Sequence, residues 1–193
     1  MPMLSPTAPL VLLDASPLCR FAECQLTEKL RAYLGGRARI TREVERELLR
    51  LSERADFGEL HDYLAADGAV VRGAGKWPKP TKNLPDGLKP EFARLLALKR
   101  AVGEHERAHA GEIATVLMAQ RRNADLVVID DNWGSDLAAK VYGLTVMSTA
   151  RLALEMVVEG ALTEDEGFAV FDAATPDGVG RDRFNQALAK LRS

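Results

Sequence analysis

The chain has 193 residues, enough for one compact domain with an appendage. Its composition, 47% apolar and 28% charged, is that of a folded globular protein and excludes a disordered, low-complexity or solenoid chain. A formal net charge of -2 supplies no global attraction to polyanions or membrane surfaces, so any contact with nucleic acid has to be local.

The apolar run from Pro9 to Leu13 is too short for a signal-peptide core and has no basic residues before it, and no stretch reaches transmembrane length. A cytoplasmic protein without membrane contact is expected. Residues 10–13 read as a strand buried on both faces that ends at Asp14, with Ser16-Pro17 opening a helix. Cys19 and Cys24 have no second pair to make a metal or disulfide framework and read as small core residues. Residues 24–34 predict a helix stopped by Gly35-Gly36, residues 38–40 a short strand, and Thr41 caps a helix reaching Leu51. A helix over 57–66 and a strand over 69–72 follow.

Residues 73–90 read as a Pro- and Gly-rich basic loop, either a solvated connection or an RNA contact in which Lys76, Lys79 and Lys82 meet phosphates and Trp77 stacks on a base. Helices are expected over 91–102 and 104–122, then an apolar strand over 126–129 that stops at Asp130-Asp131. A helix over 134–142, a strand over 144–146 and a helix over 149–159 continue the alternation, which implies a parallel sheet. Thr163-x-x-Glu166 is a capping-box pattern, and the final helix carries Phe184, Leu188 and Leu191 on one stripe.

In a parallel α/β sheet, ligands collect beyond the carboxyl ends of the strands, where Asp14 and Asp130-Asp131 are placed. On the helix after Thr41 the buried stripe is Val44, Leu48 and Leu51, and Glu47 lies within about 60° of its centre. Glu43 shares that side and is the reserve acid, whereas Glu45 falls on the opposite side near Leu49. Glu112 follows Gly111 and shares a face with Val116 and Ala119.

Singly, each acid has an ordinary role: a helix cap for Asp14, Asp130 or Asp131, a partner of Arg46 or Arg50 for Glu47, a first-turn acid for Glu112. Together they form a group that must take up protons or hold a cation, and oxygen-only ligands favour Mg²⁺ or Mn²⁺ over zinc. Such an ion suits phosphodiester hydrolysis. A competing pattern is His105-Glu106-x-x-His109, a literal H-E-x-x-H that on a helix would suit a zinc peptidase with Glu112 as third ligand. The charged Arg107 inside it and the bracketing Gly103 and Gly111 weigh against that reading.

The ordered set Leu12-Leu13-Asp14-Ala15-Ser16-Pro17-Leu18, Val44-x-x-Glu47-Leu48, Gly111-Glu112 and Ile129-Asp130-Asp131 resembles successive motifs of the PIN-domain ribonucleases over about residues 9–150. It is most similar to the subgroup whose third acid is a Gly-Glu and fourth an Asp-Asp, the VapC-type toxins of toxin-antitoxin pairs. The resemblance implies an α/β, three-layer PIN-like fold with a central parallel sheet flanked by helices: a nuclease domain over residues 1–150 and a helical C-terminal extension over 151–193, packed on it or swapped from it. It also implies endonucleolytic cleavage of RNA with Mg²⁺ or Mn²⁺, catalytic roles for Asp14, Glu47, Glu112, Asp130 and Asp131, and support from Ser16. Metal ligation falls to Asp14, Glu112 and Asp130 or Asp131, and an antitoxin becomes the implied partner. The basic loop and the C-terminal tail depart from the short form of the family. The terminal stripe suits packing on its own domain, a homodimer or the antitoxin equally. A PIN-like binding module without activity is the alternative.

Overall fold

The computed structural model describes residues 10–52, 79–80, 84–101, 109–175 and 180–193. Among the described residues five strands make one sheet: β1 (Val11–Leu13), β2 (Ala38–Ile40), β3 (Lys79–Pro80), β4 (Leu126–Val128) and β5 (Val146–Met147), in the order β3-β2-β1-β4-β5 with each of these pairings parallel. A central parallel strand meets helices on both faces and needs apolar residues at consecutive positions. β1 meets that demand, with Val11, Leu12 and Leu13 all 0% exposed.

The helices among the described residues are α1 (Ala15–Glu23), α2 (Thr27–Leu34), α3 (Arg42–Ser52), α4 (Lys89–Ala101), α5 (Ala110–Arg122), α6 (Asn132–Asp136), α7 (Thr149–Val158), α8 (Glu164–Ala173) and α9 (Gly180–Arg192); α6 runs on into a wider turn over Leu137–Val141. The pleat of β1 divides the core. Val11 and Leu13 pack with Phe21, Leu30, Val44, Leu152 and Phe184 on one face, and Leu12 with Leu95, Ile113, Leu117 and Ile129 on the other. The architecture is therefore three-layered, helices on both sides of a parallel sheet. The two helical layers also touch each other where α3 packs on α5.

Local chemistry explains where the elements begin. Thr41 Oγ1 accepts the Val44 N–H at 3.3 Å and starts α3 as its sequence suggests. The capping box is present too: Thr163 Oγ1 accepts the Glu166 N–H, and Glu166 Oε2 accepts the Thr163 N–H. Phe184 and Leu188 are buried in the same core as Val11, with Phe171 and Phe184 edge to face at 5.5 Å, so the stripe of the last helix packs on its own chain. α7 to α9 share one core with β1 and α1.

Several boundaries differ from expectation. The helix expected over 24–34 starts at Thr27, because Gln25 takes a left-handed φ of 59° that breaks it from α1. Residues 79–80, expected inside a loop, form the edge strand β3, a position where a proline lacking its N–H is tolerated. The last strand lies at Val146–Met147 rather than 144–146, since the Leu144 N–H is still held by the Ala138 carbonyl at 2.9 Å as the preceding turn closes. The expected helix 57–66 and strand 69–72 fall outside the described residues. Among those described, no helix is long and apolar enough to cross a membrane.

Candidate metal centre

β1 and β4 are neighbours in register, Leu13 opposite Val128, so the residues following each emerge side by side. The Asp14 N–H donates to the Val128 carbonyl at 3.0 Å, extending the ladder by one step and fixing Asp14 next to the Ile129-Asp130-Asp131 turn. Asp14 occupies the N-cap position of α1 yet makes no capping bond to it. The residue is 4% exposed, and Oδ1 has no hydrogen-bond partner. An unpartnered buried carboxylate oxygen is costly, and a bound cation is one of the few things that removes the cost.

Gly111 makes room for a second acid near this oxygen. A Cβ there would stand 2.7 Å from Glu47 Oε2, 3.2 Å from Val44 Cγ2 and 3.4 Å from Asp14 Oδ1. The missing side chain at Gly111 leaves the space that the Glu47 carboxylate occupies where α5 meets α3 and the end of β1. Glu47 is half-buried on the stripe side of α3, as its phase predicts. Glu112, one residue on, is half-buried in the first turn of α5, and its Oε2 lies 3.4 Å from where a Cβ on Gly134 of α6 would be.

The Asp130-Asp131 pair divides its work. Both oxygens of Asp130 are engaged by Thr149 at the start of α7: the backbone N–H donates to Oδ1 and the hydroxyl to Oδ2, each at 2.7 Å. Asp131 caps α6 by accepting the Gly134 N–H on Oδ1 at 2.9 Å. Asp131 is also the one of the two whose ligand atom groups with those of Glu112 and His109, all within 4.8 Å of one another, a set that can hold a metal ion.

His109 reaches that set in a way its H-E-x-x-H context does not predict. The helix expected over 104–122 does not pass through it: α5 begins at Ala110, and His109 precedes it with a left-handed φ of 65°. From there its Nδ1 comes within 2.6 Å of Glu112 Oε2. Its ring stands edge-on to Trp133 at 6.0 Å, and Lys99 Nζ lies 4.6 Å from the centre of the Trp133 ring. His105 and Glu106 lie outside the described residues.

Burial and crowding shift the acids in one direction. Desolvation, then the charges of Glu112 and Glu47, push the Asp14 carboxyl well above its ordinary range, against an opposing hydrogen bond from the Ala15 backbone. Glu112 is pushed up to about 7, first by burial, with the hydrogen bond from His109 acting against it and Asp131 adding to it. Glu47 is raised by burial, partly countered by Arg50 and His109. Carboxyls that all resist ionising are a group short of positive charge, which fits a divalent cation.

The other expected site residues sit less centrally. Ser16 is half-buried in the first turn of α1, beside Asp14 in sequence, and no ligand role is visible for it. Glu43 is turned to Arg46 at 3.8 Å. Glu45 overturns its placement near the exposed Leu49: it is 4% exposed, bound by Arg42 at 2.6 Å, and its Oε1 has no partner. The helix phase separated Glu45 from the Val44 stripe but could not show that packing also covers that side. Lys76, Trp77 and Lys82 lie outside the described residues, and Lys79 is described only as backbone of β3. Sequence reasoning missed the Thr149 clamp on Asp130, although a threonine opening the helix after the last strand is a signal for such a contact. It also missed the layering of His109, Trp133 and Lys99.

The chain matches no protein-family model, no curated protein and no solved structure.

Proposed function

We propose that this protein is a PIN-type, metal-dependent endoribonuclease using Mg²⁺ or Mn²⁺, and that it serves as the toxin of a toxin-antitoxin pair. The observation that carries the reading is the buried, unpartnered Oδ1 of Asp14 facing Glu47 beside the Gly111 backbone, next to Glu112. The motif order along the chain and the parallel three-layer architecture support it. A divalent ion bound in such a cluster polarises a phosphodiester and lowers the pKa of a water.

The residues take separate tasks in this reading. Asp14, held by the sheet ladder and shielded from solvent, would offer its buried, unpartnered oxygen to the ion. Glu112 and Asp131 supply carboxylates from α5 and the turn before α6. Asp130, fastened to Thr149, positions the turn that carries Asp131. Glu47, raised by burial and on the flank of the cluster, suits accepting a proton from an attacking water. RNA approaches over the carboxyl ends of β1 and β4, and the antitoxin would mask that edge.

The test is cleavage of a labelled, structured RNA pool by purified protein in Mg²⁺, Mn²⁺ or EDTA, with wild type beside Asp14→Asn. Cleavage that needs the ion and falls at least about 100-fold in the variant supports the proposal. Equal cleavage by both proteins, or cleavage that persists in EDTA, refutes it.

A further inference from the structure

His109 carries an observation that a purely carboxylate nuclease site leaves unexplained. A non-glycine residue at φ 65° adopts a conformation that costs roughly 1 kcal/mol and persists where the surroundings enforce it. Here it folds the imidazole back over the first turn of α5, so that Nδ1 faces the carboxylate of Glu112, three residues on, at 2.6 Å. Edge-on contact with Trp133, whose ring is itself covered by Lys99, fixes the plane of the imidazole. Metal-binding imidazoles are commonly oriented by such outer contacts.

Nδ1 therefore points where the acids point. The ligand atoms of His109, Glu112 and Asp131 lie within 4.8 Å of one another, and the neighbouring Asp14, 4% exposed, has an oxygen with no partner. An ion about 2.1 Å from each donor holds cis donors roughly 3 Å apart, so small side-chain rotations bring this set to coordination distance. The short contact between Nδ1 and Glu112 holds a proton, and a cation can take its place.

We infer that His109 is a direct nitrogen ligand and that the centre is built for Mn²⁺ rather than Mg²⁺. Mg²⁺ keeps to oxygen donors and water, whereas imidazole favours first-row transition ions. Of these two ions, Mn²⁺ is the one that takes an imidazole nitrogen beside a majority of carboxylates. The inference deepens the metal-centre reading above and is independent of what is cleaved.

Titration of the full chain with Mn²⁺ and with Mg²⁺, followed by calorimetry, and a pulsed EPR spectrum of the Mn²⁺-loaded protein test it. Wild type should prefer Mn²⁺ by at least about tenfold and show ¹⁴N coupling from a directly bound imidazole. His109→Ala and His109→Gln should lose that coupling and at least about tenfold in Mn²⁺ affinity, while Mg²⁺ affinity stays within about threefold. If wild type shows no nitrogen coupling, or if the variants weaken both ions equally, His109 is only a hydrogen-bond partner of Glu112 and the inference falls. The wild-type spectrum decides the matter even if a variant folds poorly. Nitrogen-bound Mn²⁺ without RNA cleavage would overturn the nuclease proposal and leave this inference intact, and metal-dependent cleavage without nitrogen coupling would do the reverse.

Discussion

Metal-free protein should lose stability as the pH rises toward neutrality, and Glu112 sets the size of the effect. Its carboxyl titrates at 4.5 when unperturbed and at about 7 in the fold. Between those values the folded protein holds a proton that the unfolded chain has already released. Stability therefore falls with rising pH across this window: the contribution of the protonated Glu112 carboxyl is fully present below about 4.5 and lost above about 7. Each pH unit of the window is worth about 1.4 kcal/mol, so the whole descent amounts to about 3 kcal/mol. The raised carboxyl of Asp14 adds to it with the same sign.

Urea unfolding in EDTA at pH 5 and pH 7.5, followed by circular dichroism, measures the descent, and Glu112→Gln isolates its source. The variant cannot ionise at this position, so its stability should vary less with pH by about 2 to 3 kcal/mol. Saturating Mn²⁺ should reverse the slope for wild type, because an ion that replaces protons binds better as they leave. A wild type in EDTA that is equally stable or more stable at pH 7.5 would show that the acids are not crowded as described. A Gln variant with the wild-type slope would place the effect elsewhere.

Three further outcomes follow from the geometry. Asp14→Asn should stabilise the protein in EDTA by about 1 to 3 kcal/mol, read as a rise of roughly 2 to 4 °C per kcal/mol in thermal melts, yet abolish the stabilisation that Mn²⁺ gives wild type; a variant less stable than wild type in EDTA contradicts the unpaired-charge account. Gly111→Ala would set a methyl 2.7 Å from Glu47 Oε2, a displaceable side-chain end, so stability should change by less than about 1 kcal/mol while metal affinity, measured by calorimetry, falls at least about tenfold. Gly167→Ala makes the opposite separation: its Cβ would fall 2.1 Å from Val157 Cγ2 in the α7 and α8 contact, which should cost about 1 to 3 kcal/mol in urea unfolding and leave metal affinity unchanged.

Much of the architecture was legible because parallel strands buried on both faces announce themselves as short unbroken apolar runs. The strands expected over 10–13 and 126–129 are found, one residue shorter each, at 11–13 and 126–128 for that reason, and with them the acids that follow each run. Capping chemistry located the starts of α3 and α8, since Thr41 and Thr163 act through their own neighbours. The misplaced boundaries depend instead on backbone states that composition does not specify. Gln25 and His109 both take positive φ without being glycine, and the strand β3 draws its pairing from a sheet edge distant in sequence.

The site was legible as a set of acids but not as an electrostatic arrangement. Sequence places Asp130 and Asp131 at one strand end and gives no ground for choosing between them. The choice depends on Thr149, 19 residues later, whose N–H and hydroxyl engage both oxygens of Asp130 and leave Asp131, with one oxygen on the Gly134 N–H, beside Glu112 and His109. The same limit applies to α3. Periodicity alone separates Glu47 from Glu45 as an inward and an outward acid, whereas the fold buries Glu45 more deeply and meets it with Arg42. What distinguishes the two is the neighbour: an arginine partner makes Glu45 an ion pair, and the unpartnered Asp14 oxygen beside Glu47 leaves a deficit of positive charge that only a cation or a proton can fill.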